Sequence, residues 1–389
     1  MSTTPGVLFV IENNYYPRDT RVYNECTSLA GLYRSFVLAP RNSGERFIEK
    51  LDSTTCIRYP HFEAHSLALI PIEYAIADFW IALLVPLIVL FRRINVVHVA
   101  NPPDIIIPVI CWVRLIGTRI IYDVHDLSVE TFRGKSGSSS AVGVGVAAAL
   151  DIFETLSIRL ASVVITTNQS IADHVTAKSA TKPIFVVRNS NPVRFRTLRE
   201  VAKRRVTNGI HVGYFGLLAD DEAAGLGNLS HMAELFAQHG VPFHFTIVGT
   251  GPGLPTLKTQ VHEAQLTDRF SFHGFVPLPR AFDLIKDFDF GVVPWGDLPK
   301  NHLHTAMKIM DYMSCAVPVC CLLLKEQVNS TQHIGVHANT FDEIVSEMIA
   351  IHREPERYEA LREMTLERFN RALAWEFQQR ELMSAYGRC

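Results

Sequence analysis

Two charged residues in the last third of the chain, Lys308 and Asp311, have the types and spacing needed to bind a charged ligand. The surrounding segment Val292–Val319 is typical of a buried strand, a polar loop and a helix over His304–Ser314, which would place both side chains on one helix face. A helix N-terminus binds anions through its free N–H groups and its dipole. The lysine would add a point charge for phosphate, and the aspartate would accept the two hydroxyls of a ribose. An ordinary surface ion pair is the alternative, and for any such pair taken alone it is the commoner outcome.

A second candidate is His125, which lies in the string IYDVHDLSVE over Ile121–Glu130, directly after a predicted strand at Arg119–Asp123. Ligands of parallel α/β sheets bind at the carboxyl ends of the strands, and an imidazole can hydrogen-bond a sugar hydroxyl or a phosphate. A lone histidine is more often structural or solvated. Both interpretations stay open on these residues alone.

Glycine-rich turns follow two predicted strands of the second half, GYFG at Gly213–Gly216 and VGTGPG at Val248–Gly253. Glycine lets the backbone approach a ligand closely, which makes Gly216, Gly249 and Gly251 candidates for ligand contacts. Tight packing of a strand against a helix explains the same glycines equally well.

The segment Asn13–Leu29 follows a predicted strand and places Asp19, Arg21 and Glu25 on or near one helix. The i,i+4 spacing of Arg21 and Glu25 permits an ion pair on that helix. We favour a mixed interpretation in which Glu25 is structural and Asp19 or Arg21 lines a ligand cleft.

These segments are embedded in a regular alternation of strands and helices. Short runs rich in Val, Ile and Phe alternate with helix-length amphipathic segments, which is the pattern of parallel α/β sheets. A chain of 389 residues fits two domains. The alternation breaks over Arg188–Arg196, which we interpret as a linker, whereas the Gly/Ser-rich Arg133–Gly145 predicts a mobile loop. We predict domains at 1–190 and 191–370, and a C-terminal helix at 371–389 that packs back on the first domain.

Composition excludes several classes of protein. A net charge of −2 gives no electrostatic footprint for nucleic acid. The seven cysteines form no CxxC pair or Cys/His cluster, which predicts reduced thiols in a cytoplasmic protein and no metal site.

The segment Leu67–Phe91 is the most apolar part of the chain. It carries two acidic residues, its last part Phe79–Phe91 carries no charge, and Arg92 and Arg93 follow at once. The uncharged part is short for a membrane span and contains a proline. A buried helix is one interpretation. We favour a helix in the membrane interface, with a tryptophan and the two arginines at headgroup level, so that residues 67–93 form a membrane contact.

Together these segments resemble glycosyltransferase family 4 and its relatives, which are enzymes of the GT-B fold. The family carries a strand–Pro–loop–(P/M)KxxEYxxxGxPV segment, which is similar to this sequence at Met307, Lys308, Asp311, Tyr312 and Pro318. The resemblance implies donor binding by Lys308, Asp311 and Tyr312, with the aspartate in place of the usual glutamate. The VGTGPG and GYFG turns are similar to the family's glycine turns.

Motifs of the first half resemble the same family. The string containing His125 and Asp126 is similar to the family's YDxHE, whose histidine lies under the donor sugar, and this implies a catalytic role for both residues. Glu130 falls where the family often has another acid. Asp19 and Arg21 match the family's opening D-x-R-V-x-x-E-x-x-x-L, which implies acceptor-side roles.

The chain departs from the family beside the donor diphosphate. The family supplies an arginine just after the first glycine turn and a lysine before the next glycine, where this chain has Leu217 and Ala224, with three acids at 220–222 between them. Leu303 stands where many members have a glutamate that contacts the transferred sugar. Loss of two cations beside a leaving diphosphate removes several kcal/mol of transition-state stabilisation unless other groups replace them.

The resemblance implies two Rossmann-like, doubly wound domains that face a central cleft. It also implies a metal-independent, retaining hexosyltransferase that needs no cofactor and uses a UDP- or GDP-sugar as substrate. The donor would bind the C-terminal domain and the acceptor the N-terminal one. We expect a glycan or lipid-linked acceptor in cell-surface polysaccharide or glycolipid synthesis, and a cytoplasmic protein that is peripheral on the inner face of the membrane. A non-catalytic protein that binds glycans or a partner, and a sugar-nucleotide epimerase, are the alternatives.

Overall fold

The computed structural model describes residues 4–63, 69–133, 140–191 and 209–388, and it divides the chain into two compact units. The first unit comprises Met1–Arg188 and Gln379–Cys389, and the second comprises Asn189–Gln378. The sequence placed these divisions after residues 190 and 370.

The first unit is built on a sheet of eight strands. They are β1 Gly6–Val10, β2 Arg34–Pro40, β3 Ile48–Leu51, β4 Thr54–Tyr59, β5 Ile94–Ala100, β6 Arg119–Val124, β7 Val163–Thr166 and β8 Ile184–Val186. Their order is β3-β4-β2-β1-β5-β6-β7-β8, and the β3–β4 pair is antiparallel whereas the other pairs are parallel. Strands β1 and β7 are buried along their whole length, as expected where helices cover both faces. The chain crosses from one side of β1 to the other, so the switch point lies between β1 and β5.

The helices of the first unit cover this sheet. They are α1 Thr20–Ser28, α2 Ile70–Arg92, α3 Ile106–Ile110, α4 Ser128–Arg133, α5 Ala141–Leu160 and α6 Gln169–Lys178, and a 3-10 helix follows α3 at Cys111–Ile116. The predicted mobile loop is wrong at its end, because α5 begins at Ala141, where the side chain of Ser140 accepts from the N–H of Gly143. Residues 134–139 of that loop and 192–196 of the predicted linker lie outside the described residues.

The second unit is built on a parallel sheet of six strands. They are β9 Ile210–Phe215, β10 Phe243–Val248, β11 Phe270–Gly274, β12 Phe290–Val293, β13 Val319–Leu322 and β14 Val336–Ala338. Their order is β11-β10-β9-β12-β13-β14. The topology switches at the neighbouring strands β9 and β12, and in such sheets the crevice at the carboxyl ends of the switch strands is the usual ligand site. Both units are therefore doubly wound, as predicted.

Helices flank the second sheet and lead into the C-terminus. They are α7 Gly227–Gln238, α8 Leu254–Glu263, α9 Leu278–Ile285, α10 Pro299–Leu303, α11 Lys308–Ser314, α12 Lys325–Thr331, α13 Phe341–Arg353, α14 Pro355–Arg368 and α15 Trp375–Gly387. The last part of α15 belongs to the first unit, where the ring of Tyr386 packs edge-on against Tyr33 with their centroids 5.2 Å apart. The C-terminal helix therefore returns to the first unit, as predicted.

Two helices of the first unit are long and apolar enough to cross a membrane, Pro71–Arg92 and Ala141–Leu160. Only 33% of the first and 28% of the second is buried by the protein. The sequence predicted the exposed apolar character of the first helix but not of the second. Residues 67 and 68 of the predicted apolar segment lie outside the described residues.

Candidate active site

His125 lies directly beyond the carboxyl end of β6 and is paired with a buried carboxylate. Its Nε2 is 2.7 Å from Oδ2 of Asp123, and the His125 side chain is 16% exposed whereas that of Asp123 is fully buried. An imidazole whose Nε2 donates to a carboxylate keeps Nδ1 as a hydrogen-bond acceptor. No described residue bonds Nδ1, so His125 presents one unused nitrogen at the end of the strand.

The turn that carries His125 is fixed by Asn101, a fully buried residue that follows β5. Its Oδ1 accepts from the backbone N–H groups of His125 at 2.6 Å and Asp126 at 3.3 Å, and its Nδ2 donates to the Asp126 carbonyl at 2.8 Å. The side chain of Asp126 is exposed. Sequence reasoning missed Asn101, although an asparagine directly after a strand at the switch point was a usable signal.

The structure corrects the role predicted for Arg21. Its Nε and Nη2 donate to the two oxygens of Asp123 at 2.8 and 2.7 Å, and its Nη1 donates to the Val187 carbonyl at 2.7 Å. The residue is 5% exposed, so it does not line an open cleft. Burial acts to raise the pKa of Asp123, but the Arg21 guanidinium and His125 hold that pKa well below its usual value.

The other helix α1 candidates also have structural roles. Asp19 is the N-cap of α1, since its side chain accepts from the N–H of Val22, and this accounts for an aspartate at that position. Glu25 is fully buried, 3.4 Å from Arg21, and burial together with the neighbouring Asp123 raises its pKa well above the usual value. Glu130 pairs with Arg133 at 2.8 Å on α4, and its acceptor-side role stays a prediction.

In the second unit, the ammonium group of Lys308 lies at the switch point between β9 and β12. Its Nζ lies 4.6 Å from the ring centroid of Tyr214 on β9 and 5.8 Å from that of Trp295, which follows β12. A Cβ on Gly216 would lie 3.3 Å from Cε of Lys308, so glycine lets the lysine approach this turn. Burial lowers the pKa of Lys308 to about 8. Among the described residues, Lys308 has no carboxylate at ion-pair distance, which rules out the predicted alternative of an ordinary ion pair.

The predicted helix over His304–Ser314 is wrong at its start. Helix α10 ends before this segment, and α11 begins only at Lys308, which is therefore its first residue. The early N–H groups of α11 are already bonded to carbonyls of the preceding turn, Ile309 to Ala306 and Met310 to Met307. A phosphate site built on free N–H groups is not available there, and the lysine charge is what remains.

Asp311 is 6% exposed and accepts a hydrogen bond from Nδ2 of Asn191. Burial raises its pKa to about 6. Asn191 lies in the segment interpreted as a linker, and here it holds one oxygen of the candidate ribose-binding carboxylate.

Tyr312 and two of the candidate glycines are explained by packing. The Tyr312 ring is fully buried, and its hydroxyl accepts from the Phe215 N–H at 2.9 Å. Tyr312 therefore stabilises the glycine turn through this hydrogen bond and does not contact a ligand. A Cβ on Gly249 would lie 1.9 Å from the Gly216 carbonyl oxygen, and one on Gly251 would lie 2.3 Å from that of Leu218. The two glycine turns pack on each other, and donor contact by Gly249 and Gly251 stays a prediction.

A cavity of about 460 Å³ opens beside these turns, and its charged lining is acidic. The lining acids are Asp220, Asp221, Glu222 and Asp297. Lys300, which sequence reasoning missed, lies 3.5 Å from Asp221, and Leu217 is 68% exposed where the family has an arginine. Where the family has two cations, this chain therefore has a cavity whose charged side chains are acidic.

One group of side chains in the described ranges has the geometry to hold a metal ion, namely Glu25, His98 and Asp123, whose ligand atoms lie within 4.8 Å of one another. Both oxygens of Asp123 are already bonded by the Arg21 guanidinium. That positive charge opposes a second cation, so these residues do not fit a metal site. Metal independence stays a prediction.

Comparisons with known proteins give a family match over one part of the chain and a fold for the whole of it. Residues 209–353 match the family described as Glycosyl transferases group 1. Sucrose-phosphate synthase from Thermosynechococcus elongatus is similar over 98% of this chain and 98% of its own, with a TM-score of 0.78 and 13% identity. HepE of Anabaena, solved in complex with UDP, is similar over 99% and 100%, with a TM-score of 0.67 and 14% identity.

WaaG, a glycosyltransferase involved in lipopolysaccharide biosynthesis, is similar over 98% of this chain and 100% of its own, with a TM-score of 0.68 and 11% identity. At such identities the likeness establishes the fold, and the predicted GT-B fold is confirmed. No curated protein matches the chain by sequence.

Proposed function

We propose an activity from two findings: residues 209–353 match the group 1 glycosyltransferases, and the chain has the GT-B fold. The protein transfers a hexose from a UDP- or GDP-sugar to a glycan or lipid-linked acceptor, with retention of anomeric configuration and without a metal ion. The observation that carries the proposal is the ammonium of Lys308 at the β9–β12 switch point, which has aromatic neighbours and no carboxylate partner among the described residues. A buried ammonium group without a carboxylate partner is neutralised when an anionic ligand binds beside it. A nucleoside diphosphate is such a ligand.

The donor is held by the second unit. Lys308 binds the diphosphate and stabilises the charge that develops on it as the sugar departs. Asp311 accepts from the ribose hydroxyls, and Asn191 fixes the carboxylate for that contact. Solved structures of GT-B neighbours contain UDP or a UDP-sugar analogue, which supports a nucleotide-sugar donor.

The sugar is contacted by the first unit. His125 uses Nδ1 to accept from a hydroxyl of the transferred hexose, while Asp123 holds Nε2. No carboxylate stands out as a nucleophile for a double displacement. The acceptor hydroxyl therefore attacks from the side of the leaving diphosphate, and the diphosphate takes its proton.

A second candidate function is a non-catalytic GT-B protein that binds glycans or a partner. The acidic lining of the cavity at Asp220–Glu222 favours it, because acids beside a diphosphate oppose the charge that builds up in the transition state. Lys300 is the neighbouring cation that offsets part of this charge.

Donor binding is tested by thermal shift with a panel of UDP- and GDP-hexoses, since a ligand that binds only the native state raises its melting temperature. Lys308→Ala and Asp311→Ala are each expected to abolish the shift and to leave the fold intact. Lys286→Ala, which removes another lysine of the same unit, is the matched control and retains the shift. Equal shifts in the parent and both variants would contradict the site.

Release of UDP or GDP from the donor that binds then separates the two candidate functions. Turnover, slow without acceptor and faster with it, supports the transferase. Binding without turnover for any donor and acceptor supports the non-catalytic alternative.

Membrane association is proposed for the first unit. Helix α2, the 3-10 helix and α5 pack side by side through α3, and most of their outward side chains are apolar. Exposed examples are Ile72, Phe79, Leu83, Leu87, Phe91, Trp112, Leu115, Val142, Val144 and Ile152. This surface extends beyond residues 67–93, because α5 contributes to it.

Arginines lie at one end of this apolar surface. Arg92 and Arg93 end α2, and Arg114 of the 3-10 helix donates to the Leu160 carbonyl at the end of α5 at 2.7 Å. An apolar face with a cationic rim suits an anionic bilayer. We therefore propose a cytoplasmic protein, peripheral on the inner face of the membrane.

Vesicle flotation tests this proposal. The parent is expected to float with vesicles that contain phosphatidylglycerol and to float less with phosphatidylcholine alone. The double variant Leu83→Glu/Leu87→Glu should abolish flotation, whereas Leu32→Glu, an exposed leucine outside this surface, should retain it. Equal flotation of all three proteins would contradict the proposal.

A further inference from the structure

Five buried side chains from four elements lie behind His125. Arg21 and Glu25 come from α1, His98 from β5, Asp123 from β6 and Tyr386 from the C-terminal helix, and each is at most 5% exposed. His98 connects them, because its Nδ1 is 2.9 Å from the Tyr386 hydroxyl, whereas its Nε2 is 3.5 Å from Asp123 and 3.6 Å from Glu25.

The positions of the protons in this group follow from the donors and acceptors. Nε2 of His98 lies between two carboxyl groups, so we assign the His98 proton to Nε2, and Nδ1 then accepts from the Tyr386 hydroxyl. Burial lowers the pKa of His98, and burial together with Asp123 raises that of Glu25 well above its usual value, which favours the neutral form of each. Arg21 and Asp123 remain as the one ion pair.

Asp123 is therefore an ionised carboxylate with donors on several sides. Its Oδ2 accepts from Arg21 Nε at 2.8 Å and from His125 Nε2 at 2.7 Å, and Nε2 of His98 lies 3.5 Å from the same oxygen without a hydrogen bond. Donors around a carboxylate fix its orientation and keep it ionised, so that Asp123 continues to accept from Nε2 of His125. The His125 proton then stays on Nε2, and Nδ1 stays an acceptor.

We propose that His98 and Tyr386 are positioning residues for His125: they fix the orientation of Asp123, and through it they hold His125 in the tautomer that carries its proton on Nε2. The consequence is that the C-terminal helix contributes a residue to the preparation of the active site. The inference rests on the proposed function for the role of His125 at the sugar, but the tautomer itself is a property of the free protein.

The first test is made without any substrate. Nitrogen-15 NMR of histidine-labelled protein, with the His125 signals assigned through His125→Gln, distinguishes the Nε2–H from the Nδ1–H tautomer. We expect the parent to show Nε2–H, and Tyr386→Phe to show a mixture of both. Tyr59→Phe, which removes another buried tyrosine hydroxyl of the same unit, is the matched control and should leave the His125 signals unchanged. Identical His125 signals in the parent and Tyr386→Phe would overturn the proposal.

The second test separates positioning from general structure at His98. Glutamine places an amide near the position of the imidazole Nε2, and asparagine places one near that of Nδ1. His98→Gln should keep a donor toward Asp123 and retain kcat within about threefold, whereas His98→Asn should lower kcat about tenfold, or ~1.4 kcal/mol. The KM for the donor should stay within about twofold in both variants. Equal kcat losses in the two variants would overturn the proposal.

A double variant completes the test. Tyr386→Phe alone should lower kcat, but it should have no further effect in the His98→Gln background, because the imidazole that Tyr386 orients is absent there. If the parent has no transferase activity but its His125 tautomer responds to Tyr386→Phe, the proposed function fails and the inference on positioning stands.

Discussion

The buried charges of the two units differ in whether an ion pair within the protein neutralises them. In the first unit, Asp123 is bonded by Arg21 and His125, and its pKa is held well below the usual value. In the second unit, Lys308 and Asp311 lie on one helix without an ion pair, and burial moves both pKa values toward neutrality, to about 8 and about 6. The first arrangement is complete without a ligand, whereas the second leaves charges that a ligand would compensate. We expect the bonded cluster to orient a side chain and the uncompensated charges to bind a substrate.

The largest expected effect comes from breaking the complete cluster. Arg21→Met leaves the carboxylate of Asp123 buried without its cation, which is expected to lower the free energy of unfolding by about 3–5 kcal/mol. Urea denaturation monitored by circular dichroism measures this loss. Arg92→Met, which removes an exposed arginine of the same unit, should change stability by at most about 0.5 kcal/mol.

The double variant Arg21→Met/Asp123→Asn sharpens the same comparison. Because the second substitution removes the uncompensated charge, it should recover part of the stability lost in Arg21→Met. A loss below about 1 kcal/mol in Arg21→Met would mean that the guanidinium is not what stabilises Asp123.

A smaller effect is expected from pH at the incomplete site. Lys308 has a pKa of about 8 in the free protein, so its charged form predominates below pH 8 and is lost as the pH rises through that value. If the diphosphate binds the charged form, affinity for a nucleotide-sugar should fall about tenfold between pH 7 and pH 9, with proton uptake on binding near pH 8. Isothermal titration calorimetry in buffers of different ionisation enthalpy measures both quantities.

The reference for this pH series is Lys308→Arg, which stays charged throughout the range. Its affinity should change only through ionisation of the nucleotide base, which both proteins share. Parallel pH profiles for the parent and Lys308→Arg would exclude Lys308 as the titrating group.

The sequence predicted the features that depend on local pattern. Runs of Val, Ile and Phe predicted most of the strands, although not β3, β4 and β14, and alternation with amphipathic segments predicted two doubly wound sheets. A histidine just past β6 predicted a side chain at a strand end, which is where His125 lies. These features follow from periodicity and from the rule that ligands meet parallel sheets at strand ends.

The features that it missed depend on contacts between distant parts of the chain. His98 and Tyr386 are 288 residues apart and form one hydrogen bond, and no spacing rule connects them. Arg21 matched a helix-face pattern, but its partner Asp123 is 102 residues away. Helix α5 was missed in part because the glycines and valines at its start give weak helix signals, whereas burial of one face and the Ser140 cap decide the outcome.

The smallest expected effect has the opposite sign from that at Asp123. The folded-state pKa of Asp311, about 6, lies above the usual 3.8, so the folded protein holds more protons between these values and stability falls as the pH rises through this window. A shift of about two units sets an upper limit of about 3 kcal/mol at pH 7, which already includes the bond from Asn191, and the cost of fitting an amide into a site that holds a carboxyl group reduces it. Asp311→Asn should therefore raise the free energy of unfolding by about 1 kcal/mol at pH 7 and leave it unchanged or lower at pH 4.

Asp123→Asn provides the contrast that makes this last prediction decisive. The pKa of Asp123 is depressed, so its ionised form stabilises the folded state above pH 4, and its replacement should destabilise the protein at pH 7. Urea denaturation at both pH values compares the two variants directly. If both substitutions destabilise at pH 7, the charge of Asp311 is already compensated within the protein, and the second unit does not hold its carboxylate ready for a ribose.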